Sequence, residues 1–183
     1  FYILSGQAIE TDGPPGAVAI GRALESLGNS VAYVTDAHGA NVVRAVAGTD
    51  ANVIEFPIAD LPASEEAAEA MLHEYDPVLL VGIERCAPSD DGIYRNMRSV
   101  DITPYTARIS ALFDRHRASV GIGDGGNEIG MGAFAAEIAA SIELPDLPAV
   151  TRTTKLVIAS VSNWGGYGLV AAMSELRDRN LLP

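Results

Sequence analysis

The chain has 183 residues, 48% of them hydrophobic and 20% charged, with 12 basic against 24 acidic side chains and a formal net charge of −12. That length and composition build a packed core in one domain and exclude a disordered chain; the acidic balance and the lack of any Lys/Arg run argue against nucleic acid or anionic membrane as a partner. A single cysteine, Cys86, rules out an intrachain disulfide and a thiolate zinc cluster and suits a cytoplasmic, reducing setting, and no apolar run reaches the ~20 residues of a membrane span.

Phe1-Tyr2-Ile3-Leu4 is an apolar, strand-like opening that does not start at Met. Residues 1–183 are therefore expected to be a single α/β domain that is a fragment, or the ordered part, of a longer chain. The loop Thr11-Asp12-Gly13-Pro14-Pro15-Gly16 predicts a helix start, with a capping side chain and prolines for the first turn. Ala17, Ile20, Leu24 and Leu27 mark the buried stripe of that helix, and Gly28 can end it. Val31-Ala32-Tyr33-Val34 reads as a second strand ending at Thr35-Asp36, followed by helical sequence around residues 41–47 and a short apolar run at Val53-Ile54-Glu55-Phe56.

Ser64 is the expected cap of the next helix, with Glu65 and Glu66 in its first turn. Val78-Leu79-Leu80-Val81-Gly82-Ile83 is the most strand-like run and ends at Glu84. A polar loop leads to Thr103-Pro104, which predicts a helix with Tyr105, Ile109, Leu112 and Phe113 on one face. Residues 119–123 form a tight strand ending at Asp124; residues 127–142 read as a helix. Residues 156–161 are the last strand, ending at Ser162-Asn163 before a Gly-rich turn and a closing helix.

Continuous apolar strands separated by helices predict a mainly parallel sheet covered on both faces, a three-layer α/β sandwich. Right-handed crossovers put all strand C-terminal ends on one edge, where ligands of such sheets bind. Asp12, Asp36, Glu84, Asp124 and Asn163 all fall at that edge. The segment Gly121-Ile122-Gly123-Asp124-Gly125-Gly126-Asn127-Glu128 offers carboxylates as cation ligands and amides as an anion nest, and it also reads as a plain tight turn. Glu84 to Arg98 combines acids, Tyr94, Asn96 and three arginines, which suits a metal-bound anionic small molecule or a solvated loop. His38 stands on the same edge and is a candidate general base.

Four ordered segments carry a resemblance. TDGPPGA (residues 11–17), SDDGIYRNMRSVDITPY (89–105), GIGDGGNEIGMG (121–132) and SNWGGYG (162–168) are similar to the D-glutamate cyclase C-terminal domain family. The resemblance implies a Rossmann-like α/β fold, a lyase that cyclises D-glutamate to 5-oxo-D-proline with loss of water, and a divalent metal held by acids. Its motifs fall on Asp12, Glu84, Asp91, Tyr94, Asn96, Asp124, Asn127, Glu128 and Asn163.

The resulting expectation is a metal site of Glu84, Asp91, Asp124 and Glu128 for Mn²⁺ or Mg²⁺, with Ca²⁺ as a third candidate. Substrate binding is expected at Arg85, Tyr94, Arg95, Asn96, Gly125, Gly126 and Asn163, and catalysis at Asp12, His38 and Asn127. The partner is a small anionic substrate of D-amino acid metabolism, with homo-oligomerisation left open. Acids around a cation also suit a metal-dependent phosphohydrolase, and a non-catalytic metal- or amino-acid-binding module is the alternative of another class.

Overall fold

The structure is a computed structural model that describes residues 2–3 and 8–183. Tyr2–Ile3 (β1) pairs antiparallel with Ala8–Ile9 (β2), so Phe1, Leu4 and the Ser5–Gln7 stretch of the expected first strand and loop lie outside the described residues. Pro14 and Pro15 open α1 (Pro14–Ser26), where a missing N–H costs nothing, and Gly28 at φ 88° takes the left-handed position just past its end. Tyr33–Thr35 (β3) leads into α2 (Ala37–Ala47), whose first turn is capped by Asp36 through the Gly39 N–H at 3.1 Å. Val53–Glu55 (β4) precedes α3 (Leu61–Tyr75). Asp60, not Ser64, caps α3, and Ser64 sits inside its first turn, fully buried.

Leu80–Ile83 (β5), α4 (Ser110–Arg115), Ser119–Gly123 (β6), α5 (Ala135–Ala139), Lys155–Ile158 (β7) and α6 (Ser162–Leu176) complete the order. Strands β5, β6 and β7 form one parallel sheet in that order, and β3 and β4 form a second parallel pair. Helices α1, α2 and α6 pack together, as do α3 and α4. One apolar cluster joins Ala19, Ile20 and Ala23 of α1 to Ile122 of β6 and Val170 of α6. A second joins Ala68 of α3 to Ile109, Leu112, Phe113 and Ile129. The fold is thus a mixed α/β sandwich with helices flanking parallel strands, as expected. Among the described residues no helix is long and apolar enough to cross a membrane.

Three expected elements differ, each for a packing reason. The helix expected at Thr103-Pro104 is a single 3₁₀ turn (Thr103–Tyr105) and the α-helix starts at Ser110. Arg85 donates to the Ala107 carbonyl at 2.8 Å, tying down the stretch between turn and helix. The helix expected over 127–142 shrinks to α5. Upstream of it, Ile129 N–H donates to Arg85 O and Gly130 N–H to Thr151 O, so the glycine segment is tied to two other stretches of backbone and only a 3₁₀ turn (Met131–Phe134) precedes α5. Conversely, the Gly-rich turn expected after Asn163 is the first part of α6. A Cβ on Gly165 would lie 2.8 Å from Ile122 Cγ2 and one on Gly166 would lie 3.1 Å from Gly16 Cα. Those glycines let α6 seat on β6 and α1, which outweighs their low helix propensity.

Candidate metal centre

Two helix N-termini cap each other across 150 residues of sequence. Asp12, just before α1, accepts the N–H groups of Gly13 (2.9 Å) and Asn163 (2.8 Å) on Oδ1 and that of Ser162 (2.9 Å) on Oδ2. In return, Asn163 Oδ1 accepts from Gly13 N (3.0 Å) and Gly16 N (2.8 Å). Orphan amides of both helices are satisfied this way. Gly13 is required there. Its φ is 99°, and a Cβ would stand 2.9 Å from Glu84 Cβ.

Glu84 follows β5 in a left-handed conformation with φ 47°, a strain on the order of 1 kcal/mol or more that turns its side chain at the sheet edge. It is buried, and its Oε2 accepts the Ser162 hydroxyl at 2.5 Å. Asp124 follows β6 on the neighbouring strand. One carboxylate oxygen from each of Asp12, Glu84 and Asp124 lies within 4.8 Å of the other two. This set of hard oxygen donors, drawn from three separate elements, fits Mg²⁺, Mn²⁺ or Ca²⁺ and lacks the nitrogen and sulfur ligands of structural zinc.

The electrostatics carry the mark of crowded acids. Burial first, and then the nearby charges of Glu128 and Asp124, push the Glu84 carboxyl up to about 8, against the opposing Ser162 hydrogen bond. Asp124 is raised to about 7 by burial, by Glu128 and by the charges of Asp12 and Glu10. Two carboxyls held away from their ordinary range are what a low-dielectric, uncompensated cluster produces, and a cation would reverse both shifts.

Glu128 does not join the set of three. Fully buried, it accepts Asp124 N–H (3.0 Å) and Gly125 N–H (2.6 Å) on Oε1, and Gly126 N–H (2.7 Å) on Oε2. The amide nest formed around Gly125 and Gly126 therefore holds this chain's own carboxylate, and Glu128 acts by rigidifying the turn that presents Asp124. Asn127 donates from Nδ2 to Arg95 O at 2.9 Å, and its buried Oδ1 has no hydrogen-bond partner among the described residues.

The other expected site residues have partners of their own. Asp91 is exposed and paired bidentately with Arg95, at 2.8 and 2.6 Å, an arrangement that holds its carboxyl down at about 2. Arg85 pairs with buried Asp36 at 2.7 Å. Burial of Asp36 works against its ionisation, but Arg85 and two backbone amides prevail and lower its pKa. Tyr94 is buried with Cys86 and Ile102, its hydroxyl 2.6 Å from Ser110 Oγ and its ring under Arg108. Asn96 Oδ1 closes a local turn by accepting from Arg98 and Val100 N–H. His38 is exposed in the first turn of α2. Cys86 is buried, which raises its thiol to about 12 and makes it no nucleophile at neutral pH.

Ser162 is the residue that the sequence reading passed over. It is fully buried and binds two of the three acids, through its N–H to Asp12 and its O–H to Glu84. The available signal was its position at a strand end, immediately before Asn163 and a helix.

Comparison with known proteins agrees with the family resemblance of the four motifs. The human (Homo sapiens) protein "D-glutamate cyclase, mitochondrial" is 37% identical over 181 residues, a match covering 90% of this chain and 29% of that protein. The chain thus spans less than a third of that relative's length. The profile of the family described as D-glutamate cyclase-like, C-terminal, matches residues 1–183, and the chain belongs to that family.

Proposed function

We propose that this domain is the metal-assisted lyase expected from its motifs, converting D-glutamate to 5-oxo-D-proline and water. The convergence of Asp12, Glu84 and Asp124 on one point is the observation that carries the reading. Ring closure forms a bond between the α-amino nitrogen and the γ-carboxyl carbon and breaks one C–O bond, whose oxygen leaves as water. Mn²⁺ or Mg²⁺ held by the three acids would supply Lewis acidity to the γ-carboxylate, a poor electrophile.

The chain's own groups take the other tasks. The amine attacks only after losing a proton. Of the two acceptors expected from the sequence, Asp12 already accepts three amide hydrogen bonds and belongs to the three acids proposed to hold the metal. The proposed acceptor is therefore His38, exposed in the first turn of α2 two residues after its cap Asp36. Asn127 Oδ1, buried and unpartnered among the described residues, is the proposed acceptor for a substrate N–H. Arg95 is the proposed partner of the α-carboxylate, exchanging exposed Asp91 for the substrate. Acids around a cation suit the phosphohydrolase alternative equally, but the amide nest that would take its phosphoryl group is filled by Glu128. The single cysteine suits a cytoplasmic setting for this chain, whereas the human relative is mitochondrial by name.

Chiral chromatography of purified protein with Mn²⁺ tests the reading. Formation of 5-oxo-D-proline from D-glutamate, and none of its mirror image from L-glutamate, is expected. Phosphate release from phosphate esters would revive the phosphohydrolase, and Mn²⁺ binding without turnover would make the domain a binding module.

A further inference from the structure

Strand β7 stands at the end of the β5-β6-β7 sheet, and among the described residues no strand pairs beyond it. Ala159 N–H donates to Gly123 O, and in a parallel ladder alternate residues bond to opposite sides. Lys155, Val157 and Ala159 therefore use their backbone toward β6, while Leu156 and Ile158 turn theirs to the open edge. A bare edge of this kind is a template for another strand. This one is apolar on both faces. Leu156 packs against the cluster of α3 and α4, so Ile158 lies on that face, where it is 57% exposed. Over the other face stands α6, seated on β6 and β7 through Gly165 and on α1 through Gly166.

Helix α1 covers the β5 side of α6, so the side of α6 away from α1 runs along the β7 edge. It carries Trp164, Gly168, Ala172 and Leu176, one every four residues and hence in one row along the helix. Trp164 is 72% and Leu176 83% exposed, and nothing lies within 4 Å of where a Cβ on Gly168 would stand. Residues 164–174 include no charged side chain, in a chain whose net charge is −12. Two copies repel over most of their surface and least along this edge, where Lys155, the single lysine of the sequence, opens β7.

We propose that this edge joins two copies of the chain about a twofold axis. Both of its parts are self-complementary. With Val157 on the axis, β7 pairs antiparallel with β7 of the second copy, and Leu156 and Ile158 exchange N–H···O bonds with Ile158 and Leu156 across it. Lys155 then lies opposite Ala159 and not opposite its like. The row on α6 reads the same from either end: large, small, small, large. Antiparallel α6 helices bring Trp164 against Leu176 of the second copy and Gly168 against Ala172, with the small residues where the helices approach most closely. Strand pair and helix row together bury on the order of 700 Å² per copy, against ~800 Å² per partner in an interface of standard size. The proposal stands whether or not the acids bind a cation.

Light scattering after size-exclusion chromatography, with the chain at about 100 μM, tests the proposal. Twice the mass of one chain is expected. Ile158→Pro removes an outward N–H at a position where an edge strand tolerates proline, and Trp164→Glu sets a charge in the interface. Both side chains are more than half exposed, so the circular dichroism of each variant should match wild type. Each substitution should raise the Kd of the dimer by about 100-fold or more. The mass of a single chain for wild type at that concentration, which would leave the edge to a different partner, overturns the proposal. So does a dimer that neither substitution weakens.

Discussion

Replacing Glu84 by Gln separates the two consequences of a crowded acid set, because it should stabilise the metal-free protein and abolish its response to metal. Carboxylate oxygens within 4.8 Å of each other repel by about 3 kcal/mol per ionised pair at an effective dielectric of 20. The folded pKa of Glu84, at about 8, lies above its ordinary value of 4.5. Its protonated form therefore supports the fold fully below pH 4.5, and that support is lost as pH rises through 8. Gln keeps the left-handed backbone and an oxygen for the Ser162 hydroxyl, and its amide can donate to Asp12 or Asp124. At pH 8 without metal, the variant should gain about 2 kcal/mol over wild type, or about 4–8 °C in Tm for a domain of this size. At pH 4.5 the difference should vanish. With Mn²⁺ at 100 times its Kd, wild type should recover about 2.7 kcal/mol, while the variant should not move. A metal-free Glu84→Gln that melts below wild type at pH 8 would refute the repulsion between these acids.

Three further outcomes follow from the same contacts. Ser162→Ala removes the hydroxyl from a buried carboxylate oxygen, and thermal melts at pH 8 should show a loss of about 1–3 kcal/mol; unchanged melting would mean that the hydrogen bond contributes nothing. Gly13→Ala places a Cβ 2.9 Å from Glu84 Cβ at a backbone φ of 99°; it should destabilise by about 1–3 kcal/mol and weaken Mn²⁺ binding, as read by titration calorimetry. Because Asp124 and Glu84 are raised to about 7 and 8, a cation must displace their protons. Mn²⁺ affinity should therefore rise with pH up to about 8, by up to about tenfold per pH unit for each proton released, and a flat profile between pH 6 and 8 would contradict the shared proton load.

What was legible in the sequence was the frame, and what was hidden was the long-range pairing. Apolar runs ending in acids located β3, β5 and β6 and placed Glu84 and Asp124 on one edge, because strand periodicity and crossover handedness are local and general rules. Nothing near Asp12 in sequence reveals that Ser162 and Asn163 supply its hydrogen bonds. Glu128 has a spacing from Asp124 that suits a shared metal as well as it suits a carboxylate folded back on its own turn; only the backbone path distinguishes them. Tyr94 lies in a polar stretch yet is 1% exposed, since the 85–102 loop builds a small core of its own with Cys86 and Ile102. The glycines of α6 misled for a related reason, because close approach to Ile122 and Gly16 decides their conformation and propensity does not.

The central claim is that Asp12, Glu84 and Asp124 form one divalent-cation site. Titration calorimetry of Mn²⁺ into wild type and Asp124→Asn at pH 7.5 tests it most directly, since this substitution removes a charge with little change of shape. One saturable site in wild type, weakened by roughly 100-fold or more in the variant, is expected for the loss of a ligating carboxylate. Equal binding by the two proteins, or none by either, would show that these acids are not a metal centre.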